Sequence, residues 1–463
     1  MWSRFMDTLN TNPELLYLGE SSNTTYKNSD WDQRSIAELS SIFLNNIKAT
    51  HFTKEASHAG IYFDLLNSVP SSSSLKTVIV TLNLRSFNSG WINSDLETAL
   101  RKSIILGKPY PALWNRFLLA FKAYPHPLNE LRENKITQAN KIPLDIYGDG
   151  TVMTSIDDWN AQMAKHGILE SDGTKNEAQT TLACHYIKTY AFKIDTNTNP
   201  RIKDVDKIVR LCKKRNWNLI LNLMAENIEM ADSLVGAPLV HIIRENGELL
   251  MERYHKENAI VVNNLELVPD KEFIDRDWTT EHYSQQGRYL IAENLAKKGI
   301  QHFYPSQFID TPKIIIPAPK SIFYTDMENQ GDFDFNKSLS KEHFFSPNHA
   351  SCINYKNEFS VTFVKPKKLL PDRAKNLLIS YAMFQVDTIH DAKLVIEILG
   401  DRIPFLWNGI KLSDLNPATN QWVDLKYNYT LPEAYDSSDV VKVYFFNKFE
   451  STVCIDNFKV EFQ

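Results

Sequence analysis

The chain has 463 residues, 43% hydrophobic and 11% aromatic. That is enough to bury two or three cores and excludes a disordered chain. Its 51 basic and 56 acidic residues leave a formal charge of −5, and no run of like charge is long enough for a binding tail, so no nucleic-acid partner is expected. No stretch approaches the length of a membrane span.

From the N-terminus to about residue 300 the pattern alternates strands and helices. Glu14 to Gly19 (ELLYLG) reads as a short buried strand, and Arg34 to Ile47 has helical spacing. Ala49 to Phe52 is a candidate second strand, and Ile61 to Val69 reads as a helix. Thr77 to Leu84 (TVIVTLNL), Trp217 to Met224 (WNLILNLM) and Ala259 to Leu265 (AIVVNNL) are apolar, β-branched runs of the kind that fill central parallel strands. The basic run Lys213 to Arg215 falls at the end of a helical pattern, where cations favour the helix dipole. Ser284 to Gly299 reads as a closing helix, capped by Ser284 and ended by Gly299. Strands alternating with helices imply an α/β fold with a three-layer, doubly wound parallel sheet. The text between Arg85 and Trp217 is too long for one crossover and mainly helical, so an inserted subdomain at about 86–215 is expected.

Beyond residue 301 the character changes. Ile314 to Ser321 (IIIPAPKS) reads as a linker or edge strand. Short alternating runs follow: Glu358 to Val364, Asn376 to Phe384, Ala392 to Leu399, Val440 to Asn447 and Cys454 to Phe462. Turns rich in Asn, Asp, Gly and Pro separate them, the signature of a β-sandwich. The expected division is 1–305, a linker at 306–322, and a β-sandwich at 323–463. The four cysteines fit no metal motif. Cys352 and Cys454 share this last region and could pair, but buried free thiols are the expectation.

Ser21 follows the first strand in LLYLGESSNTT. In an open α/β sheet, ligands bind outside the carboxyl ends of the strands, and a serine there becomes a nucleophile only if a base takes its proton. The candidate base is His282, after the fifth strand and just before the closing helix. LYLGESSN resembles the first block of the SGNH (GDSL-like) hydrolases, and TEHYSQQGRYLIAE their last. VIVTLNLRSF resembles their third block, and ASHAG (Ala56 to Gly60) falls where the second should.

The resemblance implies a flavodoxin-like sheet with Ser21 as nucleophile, His282 as base, and an oxyanion hole made by Asn83, the Ser21 N–H and a backbone N–H from Ser57 or Gly60. Two departures stand out. Glu20 replaces the usual aspartate before the nucleophile, and Thr279 stands where the acid of an Asp-x-x-His block belongs. The nearest acids are Asp275, Asp277 and Glu281. Asp277 or Glu281 is expected to orient His282, or a backbone carbonyl does so and leaves a Ser–His dyad. Arg85 is expected to bind an anionic substrate group or to pair with a carboxylate such as Glu20. Glu226, after the fourth strand, is expected to line the pocket or to start a helix with Asn227.

The C-terminal region resembles the jelly-roll carbohydrate-binding modules of secreted bacterial proteins. MWSRFMDTLN holds no signal-peptide core, so the protein is either cytoplasmic or has lost a leader; the resemblance implies a glycan partner and favours the second, with export to the periplasm or outside. It also implies a structural calcium near Glu328 and Asp456, and sugar-stacking roles for Trp407 and Trp422 that compete with plain core packing. The expected function is a serine esterase acting on acylated carbohydrate, with no cofactor for catalysis. The alternatives are a glycan O-acyltransferase and an inactive glycan-binding or cell-surface assembly protein.

Overall fold

A computed structural model describes the chain except residues 28, 108–109, 123–127, 142–143, 146–151, 154, 258, 313–317, 329–331, 387–390, 401–405, 416–417 and 433–438. Two compact units form, residues 1–26 with 34–313 and residues 27–33 with 314–463. Most of the expected strand over Ile314 to Ser321 lies outside the described residues.

The first unit is built on five parallel strands: β1 (Leu15–Gly19), β2 (Ala49–Thr53), β3 (Thr77–Leu82), β4 (Asn218–Leu223) and β5 (Ile260–Asn263). Their order is β2-β1-β3-β4-β5, the flavodoxin-like winding. Both sheet faces are covered, which is why β1 and β3 read as unbroken apolar runs. Leu16, Leu18, Val78, Val80, Leu221 and Leu223 pack on one side, with helices Ala59–Asn67, Pro200–Arg215 and Ala237–His255. Leu15, Tyr17, Ile79, Ile220 and Val262 pack on the other, with helices Ile36–Ser41 and Gln285–Leu295.

Three local expectations are corrected. The helical pattern from Arg34 ends at Ser41, because the chain then turns to bridge Leu44 to Phe308 and to donate the Asn45 N–H to Gln307 O. Gly299 is not a helix cap. The chain continues as a π turn over Ala296–Ile300, and a Cβ at Gly299 would lie 3.0 Å from Val262 Cγ2, so the glycine lets the turn approach the sheet. The insertion is also shorter than 86–215. Pro200–Arg215 is the crossover helix into β4, with Val205, Ile208 and Cys212 in the sheet core and Lys213 to Arg215 in its last turn.

The second unit is a sandwich of antiparallel strands: β6 (Ile322–Thr325), β7 (Phe333–Asp334), β8 (Leu339–Ser340), β9 (Ala350–Ile353), β10 (Thr362–Pro366), β11 (Asn376–Gln385), β12 (Lys393–Leu399), β13 (Leu406–Lys411), β14 (Trp422–Thr430), β15 (Val440–Phe446) and β16 (Val453–Phe462). One sheet runs β8-β9-β16-β11-β14, with β6 also on β16; the other runs β7-β10-β15-β12-β13. Leu377, Ile379 and Met383 of one sheet meet Leu394, Ile396, Val443 and Phe445 of the other, as period-2 alternation requires. Cys352 and Cys454 form a disulfide, which corrects the free-thiol expectation. The antiparallel register of β9 and β16 sets the two residues directly opposite each other.

Candidate active site

The site assembles at the carboxyl edge of the parallel sheet. Ser21 opens a short helix, Ser21–Thr24, directly after β1. A Cβ at Gly19 would lie 2.8 Å from the Tyr17 ring and 3.0 Å from Asn23 Cβ, so the turn into Ser21 accepts only glycine. Glu20 is buried and folds back as the cap of this helix, its Oε2 accepting the Ser22 N–H at 3.0 Å. Its longer arm also reaches Ser21 Oγ, at 3.0 Å, and the Ser22 hydroxyl. Asn23, fully buried, anchors the turn: Nδ2 donates to Thr53 Oγ1 at 2.7 Å, and Oδ1 accepts the Ala37 N–H at 2.9 Å.

His282 comes from a closed loop after β5. Phe273 bridges Tyr283, and the Ile274 N–H donates to His282 O at 2.9 Å, so residues 275–281 form a tight excursion. That closure brings Asp275 to the imidazole, with Oδ2 2.5 Å from His282 Nδ1. The other ring nitrogen, Nε2, lies 3.0 Å from Ser21 Oγ. Thr280 Oγ1 donates to Asp275 Oδ2 at 2.9 Å. Buried Arg288 holds this loop to the Ser21 turn, donating to Tyr283 O at 2.8 Å, to Thr25 O at 3.1 Å and to Arg34 O at 3.1 Å.

The carboxylate on the His282 ring is therefore Asp275, a correction of the expected Asp277 or Glu281. Asp277 is exposed. Glu281 is fully buried on the other side of the loop, since neighbouring side chains of an extended segment point apart. The Asp275–His282 spacing of seven follows from loop closure. The only advance signal was the presence of Asp275 among the nearby acids.

Asn83 follows β3 and is buried, its Oδ1 accepting the Arg85 N–H at 3.1 Å. Arg85 pairs with Glu281, not Glu20, at 2.6 Å between Nη2 and Oε2. Its Nη1 donates to Thr279 O at 2.8 Å, and its guanidinium lies over the Trp91 ring at 4.9 Å. Glu226 is buried too and accepts the Tyr190 hydroxyl at 2.5 Å. Asn227 is the cap of the following helix, its Oδ1 accepting the Met230 N–H. Burial pushes the Glu226 carboxyl well above the usual carboxylate range, and the nearby Glu281 adds to this. Glu281 is raised for the same first reason, opposed by Arg85. Tyr190 ends the helix Glu177–Tyr190, so the inserted subdomain supplies a residue that sequence reasoning missed.

Ser57 and Gly60 do not present amides as expected. The Ser57 N–H donates to Lys54 O and the Gly60 N–H to His58 Nδ1, each at 3.1 Å. His58 Nε2 in turn meets Glu97 at 2.7 Å. A second missed residue is Trp278, in the excursion between Asp275 and His282. It is 48% exposed and packs against His185, with ring centroids 4.1 Å apart and planes tilted by 50°.

In the second unit, Asp456 is saturated by donors: the N–H groups of Phe345, Ser346 and Asn457 and the Ser346 hydroxyl. Glu328 pairs with His349 at 2.9 Å. Among the described residues, no three His, Cys, Asp or Glu side chains gather as a ligand set. Trp422 packs against Phe345 and Phe384, whereas Trp407 is 41% exposed, with the Lys393 ammonium over its ring.

No protein-family model and no curated protein matches the chain. Among solved structures it is similar to the CBM22-1 xylan-binding domain of Paenibacillus barcinonensis Xyn10C, at 12% identity over 32% of this chain and 97% of that one, with a TM-score of 0.23. It is also similar to a family 16 carbohydrate-binding module, at 9% identity over 30% and 89% of the chains and a TM-score of 0.21. A third is a family 61 module in complex with β-1,4-galactotriose, at 9% identity over 31% and 88% and a TM-score of 0.19. Among the described residues, no helix is long and apolar enough to cross a membrane.

Proposed function

We propose that the protein is a serine ester hydrolase that removes acetyl or similar small acyl groups from carbohydrate through an acyl-enzyme at Ser21. The observation that carries this reading is the unbroken chain from Ser21 Oγ through the His282 ring to Asp275, at 3.0 and 2.5 Å. Asp275 on Nδ1 holds the tautomer that leaves Nε2 free to accept a proton. His282 takes the Ser21 proton as Oγ attacks the ester carbonyl, then returns it to the departing sugar hydroxyl. Water, activated by the same ring, cleaves the acyl-enzyme and releases the acid. The oxyanion is stabilised by the Asn83 side chain and the Ser21 N–H. The chemistry requires no cofactor.

A sugar-bearing substrate is supported by Trp278, whose half-exposed ring on the catalytic loop offers an apolar face to a pyranose. An oxidising compartment is supported by the Cys352–Cys454 bridge. The test is turnover of 4-nitrophenyl acetate and acetate release from acetylated xylan. Turnover that is lost in Ser21→Ala supports the reading, and wild-type protein that releases neither product overturns it. Acetyl transfer to added xylo-oligosaccharide in preference to water would make it a transferase.

A further inference from the structure

The Ser21 hydroxyl has one hydrogen and two acceptors within reach. Nε2 of His282 lies 3.0 Å from Oγ, and so does Oε2 of Glu20. A hydroxyl supplies a single donor, so the two compete for it.

The chemistry of the two acceptors decides which holds the hydrogen. Asp275 on Nδ1 leaves Nε2 as a neutral lone pair. Glu20 offers a carboxylate, and a hydrogen bond to a charged acceptor is roughly twice as strong as a neutral one. Burial widens the difference: Glu20 is 4% exposed, and a low local dielectric strengthens its bonds. The carboxylate is also fixed in place. Its Oε2 accepts the Ser22 N–H at 3.0 Å, and its Oε1 accepts the Ser22 hydroxyl. It therefore cannot follow Ser21 when the hydroxyl turns. The resting hydrogen points to Glu20, and a lone pair of Oγ faces Nε2.

The length of Glu20 sets this arrangement. The cap needs an acceptor for the Ser22 N–H, which a side chain one carbon shorter supplies as well. The extra carbon lets the same oxygen reach Ser21 Oγ too.

We propose that Glu20 is a catalytic residue that restrains the nucleophile, holding the Ser21 hydrogen away from His282 until the hydroxyl turns to the ring. The turn makes and breaks only hydrogen bonds. The proton leaves Oγ for Nε2 later, as Oγ attacks the carbonyl carbon. This inference rests on the ester-hydrolase reading and adds an off-state to it.

The test is the rate of fluorophosphonate labelling at Ser21 in the full chain, which reads the attack of that one hydroxyl. Glu20→Asp keeps a capping carboxylate and withdraws it from Oγ. Glu20→Gln keeps shape and volume and removes the charge. Each should label about 3–10-fold faster than wild type, the difference between a charged and a neutral acceptor. Weakening a purely structural cap would slow the attack or leave it alone. Labelling at the wild-type rate or slower in both variants overturns the inference and leaves the hydrolase reading standing. Wild-type protein whose Ser21 is not labelled overturns both. Melting temperature reports which variants fold, and Glu20→Gln, the isosteric change, carries the test if Glu20→Asp does not.

Discussion

The two units bury carboxylates in opposite ways. Asp456, in the sandwich, accepts four donors from Phe345, Ser346 and Asn457. It is a finished lock between β16 and the loop at Phe345. At the edge of the parallel sheet, Glu226 and Glu281 are both buried with Arg85 as a nearby guanidinium. There, burial raises Glu226 and Glu281. A carboxylate saturated by donors can only hold structure. Carboxylates that share too few donors hold a proton or orient a neighbour, which is what a reacting site uses.

The largest expected effect separates two aspartates of one loop. Asp275→Asn should lower kcat by about 100–10,000-fold, since a wrong tautomer disables the base. Asp277→Asn, at an exposed position, should stay within about 2-fold. Steady-state kinetics on 4-nitrophenyl acetate decides between them, and the reverse ranking would break the contrast.

Next in size is the sandwich's own constraint. Cys352→Ser with Cys454→Ser should cost the second unit about 2–4 kcal/mol and leave turnover unchanged. Urea titration of the full chain, followed by amide exchange in β11 and β16, reads the loss. Asp456→Asn, by the same probe, should cost about 1–3 kcal/mol through lost charge-assisted bonds.

The smallest effect is a slope. Glu226 holds its proton more tightly when folded, so the folded state binds more protons than the unfolded state above the ordinary value of 4.5. Stability therefore falls as pH rises from there through the raised folded value. Glu226→Gln removes that loss. Its melting temperature relative to wild type should rise from about pH 5 to about pH 8, and a constant difference would show that Glu226 is ionised in the fold.

How much of this was legible in the sequence depended on the range of the interactions. The central strands were readable because burial on both faces leaves continuous apolar runs such as Thr77 to Leu82. Ser21 stood out because it directly follows such a run with a glycine and an acid between, and His282 because it directly precedes the closing helix Gln285–Leu295. Asp275 was not, because its approach to His282 depends on the Phe273–Tyr283 bridge, a contact across ten residues. Glu281 looked like a rival for the histidine until the extended backbone turned it inward to Arg85, from another strand end. The Cys352–Cys454 bridge needed the register of β9 on β16, which alternation alone leaves open. Tyr190 belongs to the insertion, and nothing in its local text ties it to Glu226.

The central claim, a serine activated by His282 and Asp275, is tested most directly by fluorophosphonate labelling of the full chain, read by peptide mass spectrometry. The account predicts one phosphonyl adduct, on Ser21, with labelling slowed by about 100-fold or more in His282→Ala. An unlabelled Ser21, or one labelled equally fast without His282, would contradict it.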